Sequence, residues 1–176
     1  MTIRVDAAIY RVESSIKVTA AKGSTPFVKT KLRDLSNDEV IEKNFKLNQN
    51  VEEVFLEEHH LEFLYPEGKN YLFLDIDTLE KTLVPAHVLN AAIHYLKEGI
   101  QVKALFYSDT IFSVELPQFL ELMIVKTEPK EEKGGASGST KRAVLETGAT
   151  IEVPLFVESG DIIKVDVHAN GYIQRV

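Results

Sequence analysis

The side chains best placed to do chemistry are lysines gathered around one short stretch. Lys17, Lys22, Lys29 and Lys31 bracket the run Lys22-Gly23-Ser24-Thr25-Pro26, whose small residues, glycine and proline suit a turn. The flanking runs, 8–18 and 27–35, are rich in β-branched residues and read as strands. The stretch is therefore expected to be a hairpin that holds the Lys22 amine away from the body. Strand side chains alternate with period two, so Lys29, Lys31 and Arg33 share one face. That face reads equally well as a solvated strand surface or as a surface for a polyanion.

Other candidate chemistry dissolves on inspection. His59 and His60 are adjacent in a predicted strand, so they point to opposite faces and do not chelate one ion together. His87 and His94 stand two helical turns apart rather than the one turn of a helical zinc pair. Ser14-Ser-Ile-Lys17 spells S-x-x-K, but that motif needs a helix and this is strand. Asp75, Asp77 and Glu80 read as a solvated turn, with no histidine or glycine-rich companion nearby in the sequence. The Gly/Ser run 134–140 lacks the GK[ST] step of a phosphate loop. No nucleophile and base come together, and no enzyme or metal site is indicated.

The elements that must position the lysines follow from pattern and composition. The chain has 176 residues, 44% of them hydrophobic and none of them Cys, so a real core is expected and disulfides are excluded. The first residues lack the apolar core of a signal peptide, and no run approaches a membrane span; a cytoplasmic, membrane-free life is expected. Net charge is -7, yet it is unevenly placed. Residues 1–46 carry nine Lys/Arg against six Asp/Glu, a net of +3, whereas the remainder carries 11 against 21, a net of -10. Any polyanion should be approached by the basic N-terminal end.

Short alternating runs separated by turn residues repeat along the whole chain, which predicts an all-β protein of small barrels. The expected divisions are residues 1–53, 54–125 and 126–176. In the middle unit, strands are expected at 54–56, 60–65, 70–75 and 82–84, with a turn at Pro66-Glu-Gly68 and a closing strand at 120–125. One helix is predicted over 85–99, with Pro85 at its start, Gly99 at its end and an apolar stripe of Val88, Leu89, Ala92, Ile93 and Leu96. Residues 126–141 read as a loop or linker, and strands at 143–145, 151–153, 155–157, 161–166 and 171–176 form the last unit.

One signature is far more specific. Lys141-Arg-Ala143-x4-Gly148-x2-Ile151-Glu-Val153-Pro154-Leu-Phe-Val157-x2-Gly160 resembles the C-terminal signature of bacterial translation elongation factor P. Val40-Ile-Glu-Lys-Asn-Phe45, Tyr71-Leu-Phe-Leu-Asp75, Leu96-Lys-Glu-Gly99, Ser113-Val-Glu-Leu-Pro117 and Leu145-Glu-Thr-Gly148 extend the likeness along nearly the whole chain. The resemblance implies an SH3-like (KOW-type) barrel followed by two OB-folds, in an L that imitates tRNA. It implies a non-enzymatic, monomeric factor that binds the ribosome and its rRNA between the P and E sites, contacts P-site tRNA and relieves stalling at proline runs.

The family's tip lysine falls on Lys22, within the loop Gly23, Ser24, Thr25 and Pro26. The family's C-terminal Tyr and Arg fall on Tyr172 and Arg175; with Lys17, Lys29, Lys31 and Arg33, read from the hairpin's own pattern, these are the expected RNA-binding residues. The resemblance also implies a β-lysylation-type modification of Lys22 by a lysine-modifying ligase, and no cofactor. Four departures stand beside it. Ala20-Ala21 replaces the usual Pro-Gly, and Ser24-Thr-Pro-Phe27 is one residue longer than usual. The segment Asp166-Val-His168 replaces Asp-Thr-Arg. The usual Phe-Arg-x-Gly segment before the first strand is missing, so a late start or a shortened paralogue is expected. The alternative reading is such a paralogue, serving as a general RNA or protein interaction module.

Overall fold

The computed structural model describes residues 1–19, 21–129 and 140–176. Fifteen strands among them form three five-stranded sheets, and by compactness the chain divides into two units, residues 1–58 with 105–113 and residues 59–104 with 114–176.

The first sheet holds β1 (Thr2–Val5), β2 (Ala8–Val18), β3 (Phe27–Asp34), β4 (Val40–Lys46) and β5 (Glu52–Glu53), in the order β4-β3-β2-β1-β5. Its inward side chains alternate along the strands, and Ile3, Leu32 and Phe45 form a buried cluster flanked by Val5, Tyr10 and Val12. At the free end of the sheet, β2 and β3 run on as a ribbon with β4 alongside. A β-bulge interrupts β2: Val12 pairs with Leu32 but Ser14 pairs with Lys31, leaving Glu13 as the extra residue. Such a bulge bends the strand and shifts its inward-outward alternation by one. Beyond it, Lys17 lies in one row with Val28 and Phe45, and Ile16 in the next with Lys29 and Asn44.

The second sheet comprises β6 (Glu57–Glu67), β7 (Asn70–Asp75), β8 (Lys81–Pro85), β9 (Gln101–Tyr107) and β10 (Thr110–Glu115), in the order β10-β9-β6-β7-β8. Its core is Leu61, Phe63, Leu72, Phe73, Val84, Val102 and Ala104. Three details differ from the sequence expectation. Residues 54–56 are not strand; Val54 is buried, its N–H bonded to the Thr2 carbonyl, and Phe55 is exposed. Pro66 and Glu67 lie within β6, and the hairpin turns at Gly68-Lys69, with Gly68 at φ +63. The helix predicted over 85–99 is a single α-turn, α1 (Ala86–Leu89), followed by a 3₁₀ segment at Asn90–Tyr95. Asn90 adopts φ +49, which stops the α-helix, and burial of Leu89, Tyr95 and Leu96 sets the path instead. With ψ -128 this backbone is neither helical nor αL, and the apolar stripe alone gave no sign of it.

The third sheet comprises β11 (Phe119–Thr127), β12 (Thr140–Leu145), β13 (Thr150–Pro154), β14 (Ile162–Asp166) and β15 (Gly171–Arg175), in the order β13-β12-β11-β14-β15. Contact between β13 and β15 curls it toward closure. Residues 120–125, expected to close the middle barrel, lie in β11 and pair with β12 and β14. Residues 155–157 are a turn and its exit, with Val157 buried and Phe156 exposed. Most of the expected linker, residues 130–139, lies outside the described residues. The third sheet is joined to the middle one within its unit by side chains: the Tyr95 hydroxyl donates to Asn170 Oδ1, and Lys97 Nζ lies 2.9 Å from Glu146 Oε1. The same Glu146 oxygen accepts the Met123 N–H at 2.9 Å.

Two turns share one design. Asp34 accepts the N–H and hydroxyl of Ser36, and its own N–H donates to the Glu39 carbonyl, with Asp38 at φ +63. Asp75 accepts the N–H groups of Asp77 and Thr78, and its N–H donates to the Glu80 carbonyl, with Leu79 at φ +61. Asp75 is thus a buried turn-former, not part of a solvated carboxylate cluster. The histidine companion that the sequence did not reveal is His59, whose Nδ1 lies 2.7 Å from Asp75 Oδ2.

Candidate nucleic-acid interface

The tip of the β2–β3 hairpin is a tight turn. The Ala21 carbonyl accepts the Ser24 N–H at 3.2 Å and the Ser24 hydroxyl at 3.1 Å. Lys22 occupies the second turn position and Gly23 the third, where φ is +101. A positive φ at the third position is the mark of a type II turn, and glycine adopts it without strain. Nothing lies within 4 Å of where a Gly23 Cβ would stand, so the glycine is required by the backbone rather than by a neighbour. The consequence is that Lys22 leads the turn, exposed along with Gly23, Ser24 and Thr25, and Pro26 closes it half-buried. Ala20 lies outside the described residues.

The predicted cations of β3 do share one face, and that face carries its own counter-charges. Lys29 Nζ lies 3.0 Å from Glu42 of β4. Lys31 lies 3.5 Å from Glu13, and Arg33 donates to the same carboxylate at 2.6 Å while also approaching Asp38 at 3.3 Å. The Arg33 hydrogen bond holds the Glu13 carboxyl below its usual range, and Glu13 in turn raises the Arg33 guanidinium. Lys17 stands on the other face. Among the described residues no carboxylate lies within ion-pair distance of Lys17, Lys22, Lys43 or Lys46. Lys43 and Lys46, both on β4, did not stand out in the sequence. Their relation to the hairpin is a matter of register: Lys46 pairs with Phe27 and Lys43 with Thr30.

Family models match three consecutive parts of the chain: the elongation factor P KOW-like domain over residues 1–51, the elongation factor P OB domain over 56–114, and the elongation factor P C-terminal domain over 120–175. An elongation factor P 1 of Protochlamydia amoebophila is 59% identical over 100% of this chain and 95% of its own length. The chain belongs to the elongation factor P family. Similar over the same spans is an elongation factor P 1 of Chlamydia caviae, at 43% identity. An elongation factor P of Moorella thermoacetica is 40% identical over 99% of this chain and 94% of its own. The fold is accordingly that of a KOW-like domain followed by OB-type β domains, and the role is that of a translation elongation factor.

Within this elongation factor P fold, the other two predicted contact residues lie on β15, in the unit that does not contain the hairpin. Tyr172 is half-buried and pairs with Val165. Arg175 is exposed, with its guanidinium 5.4 Å from the centre of the Phe156 ring and 3.6 Å from Asp161. His168, the departure from the usual arginine, is exposed on the turn before β15. No group of three or more His, Asp or Glu side chains that could hold a metal converges among the described residues, and no helix there is long and apolar enough to cross a membrane.

Proposed function

We propose that this chain acts in the cytoplasm, as a monomer without a cofactor, by binding the ribosome between the P and E tRNA sites. The lysine-tipped hairpin contacts P-site tRNA, and its effect is to stimulate peptide-bond formation where consecutive prolines stall it. Proline is a poor participant because its φ is locked and its nitrogen is secondary. A factor that fixes substrate geometry lowers such a barrier by removing orientational freedom, with no acid or base of its own. Lys22 at the second position of the tip turn is the observation that carries this reading. It presents a flexible, multiply donating, exposed ammonium, suited to RNA phosphates and 2′-hydroxyls. The same exposure leaves the amine open to a ligase that adds a β-lysyl-type group and extends its reach.

The test is translation of a proline-run reporter in bacteria lacking their resident factor. This chain is expected to restore read-through and Lys22→Ala to lose most of it, with a control reporter unaffected. Rescue that survives Lys22→Ala in full would show that the tip is not the working part. Peptide mass spectrometry of the protein from its own host reads the modification directly: an unmodified Lys22 removes the ligase from the scheme.

A further inference from the structure

The basic end of the chain is not uniformly basic once its ion pairs are drawn. On β3 the three cations Lys29, Lys31 and Arg33 face the three carboxylates Glu13, Asp38 and Glu42, so this strand face is neutral as a group. Among the described residues, the cations of residues 1–46 outside any ion pair are Arg11, Lys17, Lys22, Lys43 and Lys46; Arg11 lies opposite Arg33, far from the tip, and Lys46, in register with Phe27, shares the face of Lys29 at its tip end. Lys22 is at the tip, Lys46 and Lys17 flank the first two rows of the ladder behind it, and Lys43 lies in the fourth row. Lys17 and Lys43 share one face on strands β2 and β4, two strands and two rows apart, which is about 12 Å at the usual strand spacing and rise. We infer that RNA is held by Lys17, Lys22, Lys43 and Lys46, while Lys29, Lys31 and Arg33 tie the hairpin strands together. This inference rests on the reading of the hairpin as an RNA contact and assigns its residues.

The physical reason is what remains when a phosphate arrives. Opening the exposed Lys29–Glu42 pair costs little in itself. The Glu42 carboxylate, however, stays beside the incoming phosphate and repels it, so the pair gives almost no net neutralisation. A lysine with no carboxylate neighbour gives the full effect, because each phosphate it neutralises releases condensed counterions. Glu13 strengthens the distinction. As the extra residue of the β2 bulge it reaches both Lys31 and Arg33, and one carboxylate engages two cations.

The dependence of tRNA affinity on salt separates the two groups. With unfractionated tRNA as the probe, four phosphate contacts predict a slope of log K against log salt of about -3. K17Q/K43Q should flatten it to about -1.5, at one unit of charge lost per contact. The charge-conserving double variant K29Q/E42Q should keep the parent slope. E42Q alone should steepen it to about -4 and tighten binding, because it releases Lys29, and a gain of this kind does not arise from misfolding. All the substituted side chains lie on the exposed or half-exposed ladder, and circular dichroism checks that the variants fold alike. If K29Q/E42Q flattens the slope as much as K17Q/K43Q, or E42Q weakens binding, the assignment is overturned. A parent that binds tRNA with no salt dependence overturns the RNA reading itself, whereas a salt-dependent parent with indifferent variants overturns only the assignment.

Discussion

At the end of the β2–β3 hairpin, the exposed Lys22 leads a turn closed by hydrogen bonds from one residue, Ser24, to one carbonyl, with no carboxylate within ion-pair distance among the described residues. At the β7–β8 turn, Asp75 is 5% exposed and engages Asp77, Thr78 and His59 at once. Both turns reverse a strand, and each is built around one ionisable residue. In the first, the charge is left unsatisfied and presented; in the second, it is satisfied internally and used to fix the backbone. The difference teaches that local hydrogen bonding is concentrated at the turn that fixes a sheet and is sparse at the exposed hairpin tip.

Breaking the satisfied turn should have the largest effect on stability. Asp75→Ala leaves two turn N–H groups and His59 without their acceptor and is expected to cost about 2–4 kcal/mol. A urea midpoint for Asp75→Ala indistinguishable from the parent's would show that the turn is not held by this carboxylate. The same residue predicts a smaller, pH-dependent loss. The Thr78 N–H, foremost, holds the Asp75 carboxyl below its usual range; burial opposes this, and His59 and the Asp77 N–H add to it. A folded-state pKa below the unfolded one gives stability that is complete above about pH 4 and is lost as the pH falls through the lowered folded value. Titrating stability downward from neutrality should show this acid limb in the parent and a diminished one in Asp75→Ala.

The presented turn should respond in the opposite way. Gly23→Ala places a Cβ at φ +101, a strain of about 1 kcal/mol, but in open space. Nothing couples that strain to a core, so the turn relieves it by opening. Exchange of the Ser24 amide should quicken severalfold while the melting temperature moves little. A fall in melting temperature as large as that of Asp75→Ala would mean that the tip is structural after all, and the contrast between the turns would fail.

Much of this was legible in the chain. Gly23 marked the turn and so placed Lys22, because few other residues take that backbone conformation. The common face of Lys29, Lys31 and Arg33 followed from strict alternation along an unbulged strand. The neutrality of that face was not legible, since Glu13 and Glu42 become neighbours only through register with other strands. Plain alternation outward from Val12 would also put Lys17 on the wrong side, as the bulge reverses the count. Asp75 hid its partner for a similar reason: His59 is distant in sequence and reaches it across the β6–β7 pairing. The helix ends early at one residue, Asn90, whose positive φ leaves no trace in hydrophobic spacing.

The position of Glu13 also bears on how such a hairpin changes over generations. Excising Glu13 would leave Val12 opposite Leu32 and Ser14 opposite Lys31, the partners they have now. It is therefore a codon whose gain or loss leaves every lysine on its present side while altering the charge the ribbon displays. Most substitutions that change charge exchange one side chain for another at a fixed site. Here a change of length suffices, and a lineage could adjust its grip on a polyanion by insertion and deletion alone.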